Sequence, residues 1–293
     1  MYERIPGNSP FSLDNHDGYR RWRDWKLSDA ADSIEALVVE ISDPFQLSTS
    51  EREAILDRLK RFNMAVYACL SGDGRDKNAI RAIGSTFGLV NLDDNMGADD
   101  DAVTSLTVQE DALHKGYIPY STRPIAWHTD GYYNDLDHQI YSLLLHCVQP
   151  AARGGANKLM DPDLLYIALR DQDPDFIRAL NHPEPMTIPA NEVDGQEIRP
   201  ARSGPVLMLR ADGHLHMRYT DRSRSIEWRD EASTAVKALK QYLSKNESGL
   251  EGVLQPGQGL ICNNVLHTRS KFENDGEPRL LYRARYFDTV EGL

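Results

Sequence analysis

Apolar residues recur at two different periods along this chain. Between Ser48 and Arg61, Ser and Thr residues precede Glu51, and Ile55, Leu56, Leu59 and Phe62 follow at helical spacing, which predicts an N-capped helix. A second helix is expected over 76–87, ended by Gly88. Two apolar runs read as strands: 36–41, stopped by Asp43-Pro44, and 64–70, closed by the Ser-Gly-Asp-Gly turn at 71–74. After an acidic stretch at 92–101, which reads as a solvated loop, short β-like runs dominate. They fall at 105–108, 125–129, 140–148, 206–210, 215–219, 259–263 and 280–287, with helical patterns near 163–170 and 227–243. The first thirty residues are polar and aromatic and are expected to wrap against the body. Many short strands between Gly, Asp and Pro turns predict a mainly-β sandwich or jelly roll with flanking helices. There is no Pro/Ser-rich linker and no repeat, so residues 1–293 are read as a single domain.

Composition narrows the function more than the fold. Forty per cent hydrophobic residues, including 13 Tyr, 7 Phe and 4 Trp, supply a substantial core. Lys and Arg number 33 against 45 Asp and Glu, and the net charge of −12 repels phosphate backbones and anionic lipid surfaces. Nucleic-acid and membrane partners are therefore not expected. Three widely spaced cysteines fit reduced thiols, and no segment approaches eighteen apolar residues. A cytoplasmic globular protein acting on a small molecule is the expectation, and a homo-oligomer is compatible with it.

Signatures of nucleophilic hydrolases, P-loops and dinucleotide folds are absent from the sequence. His128-Thr-Asp130 has the spacing that puts two metal-ligating heads on one side of a strand. Nine histidines and 45 acidic residues give about one such match by chance, and the sequence holds two, the other being His182/Glu184. Context separates them. His182 stands among prolines, whereas His128-Thr-Asp130 closes the apolar run Ile125-Ala-Trp127 and opens a Gly-Tyr-Tyr-Asn turn. His146 reads as a hydrogen-bonded core histidine, and His138, His214 and His216 are not ligand candidates; the last two are expected at the surface. In the C-terminal strand, alternation places Arg279, Leu281, Arg283, Arg285 and Phe287 on one face. Some of these guanidinium groups must be partly buried and need an anion, either Asp or Glu or a ligand carboxylate.

The ordered set W-H-T-D-G (127–131), L-L-H-C (144–147), R-G-G-A-N (153–157), P-G-Q-G-L-I-C-N-N-x-L-H (256–267) and R-L-L-Y-R (279–283) resembles the taurine dioxygenase-like Fe(II)/2-oxoglutarate oxygenases, the TauD/TfdA, clavaminate synthase-like family. The resemblance implies a double-stranded β-helix with a core about 60–288. Within the family, Tyr120-Ser121 and Leu144-Leu-His-Cys147 look most like the γ-butyrobetaine and trimethyllysine hydroxylases, without their zinc domain. It further implies that His128, Asp130 and His267 hold Fe(II). Asn157 stands where the family often has Thr or Ser on the 2-oxoglutarate carboxylate, and Arg279 and Arg283 stand at its cosubstrate-arginine positions, Arg283 being favoured. Fe(II) with two imidazoles and one carboxylate carries +1; dianionic 2-oxoglutarate takes it to −1, and one buried arginine returns the site to neutrality. One coordination position remains for O₂.

The reaction so implied converts 2-oxoglutarate and O₂ to succinate and CO₂ while an aliphatic C–H of a small polar or anionic substrate is oxidised, most simply hydroxylated. Retention of Asp130 argues against halogenation. Tyr120, Tyr132, Tyr133 and Arg222 are the substrate-binding candidates. Gly131 departs from the quaternary-ammonium branch, which has a cage tyrosine there, and Tyr117 replaces an asparagine. Two other classes stay open: a catalytically silent β-barrel binding a small carboxylate, and a cupin-type metal hydrolase or isomerase, which leaves the arginine pair unexplained.

Overall fold

Alternate side chains of the strand Ser142–Gln149 enter two separate cores. Leu143, Leu145 and Cys147 join Met64, Val66, Leu106, Leu260, Cys262 and Leu281 on one face. Leu144 and Val148 join Ala65, Tyr67, Ile261, Tyr282 and Ala284 on the other. Each fully buried aliphatic side chain contributes about 1.5–3 kcal/mol, and a slip of one residue in register would carry each row into the core packed for the other.

The computed structural model describes residues 7–28, 30–70, 76–94, 99, 102–109, 117–193, 195–222, 226–245 and 249–293. The turn expected at 71–74 and most of the acidic stretch at 95–101 lie outside the described residues. The chain divides into two compact units, each discontinuous in sequence: Ala31–Ala126, Ile140–Leu159 and Gly249–Leu293 form one, and Met1–Ala30, Trp127–Gln139 and Met160–Ser248 the other. No helix among the described residues is long and apolar enough to cross a membrane.

In the first of these, a six-stranded sheet has the order Val38–Ile41, Met64–Cys69, Gln258–Cys262, Ser142–Gln149, Leu280–Tyr286, Thr104–Leu106. The first pair is parallel and the rest antiparallel. A bulge at Leu280/Leu281 sets the register so that Leu281, Arg283 and Arg285 stand opposite Cys147, Leu145 and Leu143, on the inner face. The second sheet runs Leu250–Gly252, Asn157–Met160, Leu266–Arg269, Ile125–His128. Leu159, with Leu250 packed against it, closes the inner core from this side. Helices Thr49–Phe62 and Lys77–Thr86 cover the outer face through Ile55, Leu59, Ile80 and Ile83. The expected capping box forms: Ser48 Oγ accepts from the Glu51 amide at 3.3 Å, and the Glu51 carboxylate accepts from the Ser48 amide at 2.7 Å. The Ser48 hydroxyl, which also donates to the carboxylate at 2.7 Å, and the Ser48 and Ser42 amides hold the Glu51 carboxyl down to about 2.

The second unit departs further from the sequence pattern. The N-terminal segment, expected to wrap against the body, contains a helix, His16–Leu27. Its Lys26 is buried between Asp161 (2.8 Å) and Asp163 (2.7 Å), and Phe11, Trp22 and Tyr166 meet edge to face. The helical pattern over 227–243 splits: Glu227–Trp228 pairs with Met186–Thr187 as a strand, and only Ser233–Leu243 is α-helical. Pairing with a distant strand overrides local propensity there.

His216 is a second correction. It is buried, not at the surface, because the strand Leu207–Leu209 pairs with Leu215–Met217 and turns the imidazole inward. Burial, reinforced by the charges of Arg210 and Arg218, pushes its pKa down from 6.5 to about 3. The unfolded chain thus binds a proton that the folded chain refuses between these values, and stability must fall as pH drops from about 6.5 toward 3. A difference of one bound proton makes stability change by at most about 1.4 kcal/mol for each step of one in pH. The His216→Gln protein is expected to lose that contribution to the slope in thermal melts across pH 4–7. An unchanged slope would exclude His216 as its source.

Candidate metal centre and cosubstrate site

Backbone pairing explains why His128-Thr-Asp130 is held firmly. His128 bridges Thr220, the Asp221 amide donates to Trp127 O at 2.8 Å, and the Thr129 amide donates to Tyr219 O at 3.0 Å. The Thr129 hydroxyl accepts from the Tyr219 amide at 3.1 Å, so the middle residue points into the protein and its two neighbours share the other side. His128 Nε2 and Asp130 Oδ1 lie 3.5 Å apart. Gly131 takes φ +68°, the left-handed region, which turns the chain sharply after Asp130.

His267 lies within the strand Leu266–Arg269. Two asparagines shape the approach to it: Asn263 donates to the side chain of Asn63 at 2.9 Å, and Asn264, at φ +49°, donates to Ile140 O at 2.6 Å. The His267 Nδ1–H donates to the Val265 carbonyl at 2.9 Å. A carbonyl only accepts, so this bond fixes the proton on Nδ1 and leaves Nε2 as the ligating nitrogen. His128, Asp130 and His267 each offer a ligand atom within 4.8 Å of the others. Two imidazoles and one carboxylate suit Fe(II) with open coordination positions. The chemistry of this donor set therefore fits the metal expected from the sequence.

The inner face beside His267 is cationic. Arg269, two residues on along the same strand, donates to the carbonyls of Ile118 (3.3 Å), Pro119 (3.0 Å), Ser121 (2.6 Å) and Arg123 (2.6 Å). Burial, then the charge of Arg279, brings its pKa down to about 9. Burial brings Arg279 down to about 10. Both remain protonated at neutral pH. Their guanidinium groups stand over the Phe272 ring at 4.9 and 5.2 Å, and among the described residues no carboxylate pairs with either. Arg285 differs, being neutralised by Asp93. Arg283 lies on the inner-facing row of its strand and is half-buried.

Asn157 is buried and donates from Nδ2 to Thr268 O at 3.0 Å, next to His267. Gly154, at φ +73°, passes so close to Lys271 O that a Cβ would lie 2.1 Å from it, and a Cβ on Gly155 would lie 3.6 Å from Arg279 Nε. Gly154 lets the backbone pass this close to Lys271, and both glycines take the left-handed φ (+73° and +74°) that side chains rarely adopt.

Of the aromatic candidates, Tyr120 is buried in the inner core, whereas Tyr132 and Tyr133 are half-buried and meet edge to face at 5.1 Å. Arg222 is exposed and donates to Tyr132 Oη at 3.3 Å. His146 is a core residue bonded to Tyr67 Oη at 3.0 Å, as its apolar setting predicts, and His182 sits in its turn with Nδ1 accepting from the Glu184 amide at 3.0 Å. Sequence reasoning misses the role of Arg269, although its i+2 spacing from His267 signals a shared face.

Residues 26–285 match the family described as taurine catabolism dioxygenase TauD, TfdA family. The chain belongs to this family. It is accordingly an Fe(II)- and 2-oxoglutarate-dependent dioxygenase with the clavaminate synthase-like double-stranded β-helix. A uridine-5′-phosphate dioxygenase from Streptomyces sp. is 30% identical over 200 residues, 64% of this chain and 69% of the relative. Another from Amycolatopsis sp. is 31% identical over 186 residues, 59% of this chain and 64% of the relative. The structure of asparagine oxygenase in complex with Fe(II), 3-hydroxyasparagine and succinate superposes with a TM-score of 0.60 at 16% identity, covering 82% of this chain and 80% of that one. These relatives correct the placement near the γ-butyrobetaine and trimethyllysine hydroxylases, since the curated ones are uridine-5′-phosphate dioxygenases. Gly131, lacking any ring where that branch has a cage tyrosine, is the residue that agrees with the correction.

Proposed function

We propose that this dioxygenase hydroxylates an aliphatic C–H of a nucleoside monophosphate, with Arg279 as the principal anchor of the 2-oxoglutarate distal carboxylate and Asn157 and Arg283 assisting. The observation that carries the cosubstrate assignment is the burial of Arg279 without a carboxylate partner among the described residues, immediately before the strand that bears Leu281 and Arg283. A planar guanidinium fork suits a carboxylate held by two parallel hydrogen bonds. The similarity to two uridine-5′-phosphate dioxygenases supports the substrate class.

Bound Fe(II) supplies the activation of O₂, and the two oxygen atoms end in succinate and in the hydroxylated product as CO₂ leaves. The protein's own residues set the geometry. The Val265 carbonyl orients His267, the backbone ladder through Thr129 fixes His128 and Asp130, and Arg279 offsets the dianion in a site that excludes water.

The test is anaerobic addition of Fe(II) and 2-oxoglutarate, followed by aerobic turnover with uridine-5′-phosphate. A visible metal-to-ligand charge-transfer band and nucleotide-dependent succinate are expected. A band without succinate for any nucleoside monophosphate would overturn the substrate class, and binding of 2-oxoglutarate without oxygen consumption under any condition would favour a silent carboxylate-binding barrel.

A further inference from the structure

Three arginines crowd the chain just after Asp130, and among the described residues only one of them meets a carboxylate. Arg202 forms an ion pair with Asp135 at 2.7 Å, and a second nitrogen donates to the same carboxylate at 2.9 Å. This bond ties the Gly131–His138 stretch to the strand Arg202–Gly204. Among the described residues, Arg222 donates to the Tyr132 phenol, at 3.3 Å. Arg199 donates to the carbonyls of Pro189 and Pro200, each at 2.7 Å. Among the described residues no carboxylate pairs with Arg199 or Arg222, and the neighbouring Asp221 is taken by Lys240 at 2.8 Å.

The position of this cluster follows from the backbone. Thr220 bridges His128, so Arg222 leaves the ladder two residues beyond a metal ligand's partner. Tyr132 stands two residues after Asp130, and both Tyr132 and Tyr133 lie within electrostatic reach of Arg199. Two guanidinium groups with no carboxylate partner among the described residues, a phenol and a second ring held edge to face at 5.1 Å thus line the chain next to His128 and Asp130. In a protein of net charge −12 this is a local reversal of sign. Burial, then the charge of Arg202, lowers the pKa of Arg199, and Tyr132 and Tyr133 act in the opposite direction.

We infer that Arg199 and Arg222, with the Tyr132 hydroxyl, form a phosphate-monoester subsite that selects a nucleotide over its nucleoside, and that Arg202 acts as a positioning residue by holding the loop through Asp135. A phosphate carries about −1.5 to −2 at pH 7 and accepts forked hydrogen bonds, which matches two uncompensated guanidinium groups. A single carboxylate would leave one of them unsatisfied. The inference rests on the nucleotide reading above and specifies which end of the substrate this chain recognises.

Calorimetric titration of the anaerobic Fe(II)/2-oxoglutarate protein with uridine-5′-phosphate, uridine and inorganic phosphate separates the possibilities. The wild type is expected to bind the nucleotide at least about 30-fold more tightly than uridine, with inorganic phosphate competing. Arg222→Gln and Arg199→Gln are each expected to weaken nucleotide binding about 10–100-fold and to leave uridine binding as it was. Arg222→Lys should recover part of the loss, since the charge stays and the fork is gone. Arg222 is exposed, so its replacement does not threaten folding, and thermal melting checks each variant. Equal affinity for nucleotide and nucleoside in the wild type, or variants that keep the wild-type preference, would overturn the subsite while nucleotide-dependent succinate formation still upheld the proposed function. A wild type that binds neither nucleotide nor nucleoside and makes no succinate with either would overturn both.

Discussion

His267→Ala is expected to eliminate the charge-transfer band of the anaerobic Fe(II)/2-oxoglutarate protein and to lower succinate formation by about 10³-fold or more. Residues that merely orient a metal ligand cost about 10–100-fold when removed, and His267 is itself a ligand whose tautomer the Val265 carbonyl fixes at 2.9 Å. Two ligands would remain, His128 and Asp130, 3.5 Å apart, and a pair holds Fe(II) far less firmly than a facial triad. Because His267 is buried, Ala also leaves a cavity and an unmatched carbonyl, with a stability cost of about 1–3 kcal/mol. His267→Gln keeps most of the volume, and the same spectroscopic loss is expected of it. An intense band in a folded His267→Gln protein would remove this residue from the metal site.

Arg279→Met is expected to move two observables in opposite directions. Before 2-oxoglutarate binds, the guanidinium is 4% exposed, has no carboxylate partner among the described residues and sits beside Arg269, whose pKa its charge depresses. Replacing an uncompensated buried charge by an apolar side chain of similar length should raise the melting temperature or leave it unchanged, with about 1–4 kcal/mol available. The affinity for 2-oxoglutarate should fall about 100-fold or more, because truncating one side of a desolvated charge pair costs about 2–5 kcal/mol. Wild-type protein should therefore be stabilised by 2-oxoglutarate, about 2.7 kcal/mol at a hundredfold excess over the dissociation constant, and the variant should not. Arg283→Met provides the comparison. It should raise the KM for 2-oxoglutarate less, since Arg283 is half-buried and makes the weaker claim on a dry carboxylate. The reverse order would hand the principal role to Arg283.

Much of the local architecture is readable from residue order. The capping box at Ser48/Glu51, the alternation that sends Leu143, Leu145 and Cys147 one way and Leu144 the other, and the H-T-D motif all depend on neighbours a few residues apart. Strands of two or three residues, such as Met186–Ile188 and Glu227–Trp228, carry no period long enough to see. The helix His16–Leu27 is hidden for another reason: its cohesion comes from Lys26 with Asp161 and Asp163, far along the chain.

Residue order alone was enough for the family, the iron ligands and a row of arginines near one strand, because these are matters of spacing and sequence. Which carboxylate or carbonyl each arginine meets was decided in three dimensions. Arg285 meets Asp93 from 192 residues away, Arg269 is consumed by the carbonyls of Ile118 through Arg123, and Arg202 is neutralised by Asp135. Arg279, Arg199 and Arg222 remain uncompensated by any carboxylate among the described residues. A guanidinium's role depends on which anion reaches it in space and on how much water has been removed, and neither quantity is written in local sequence.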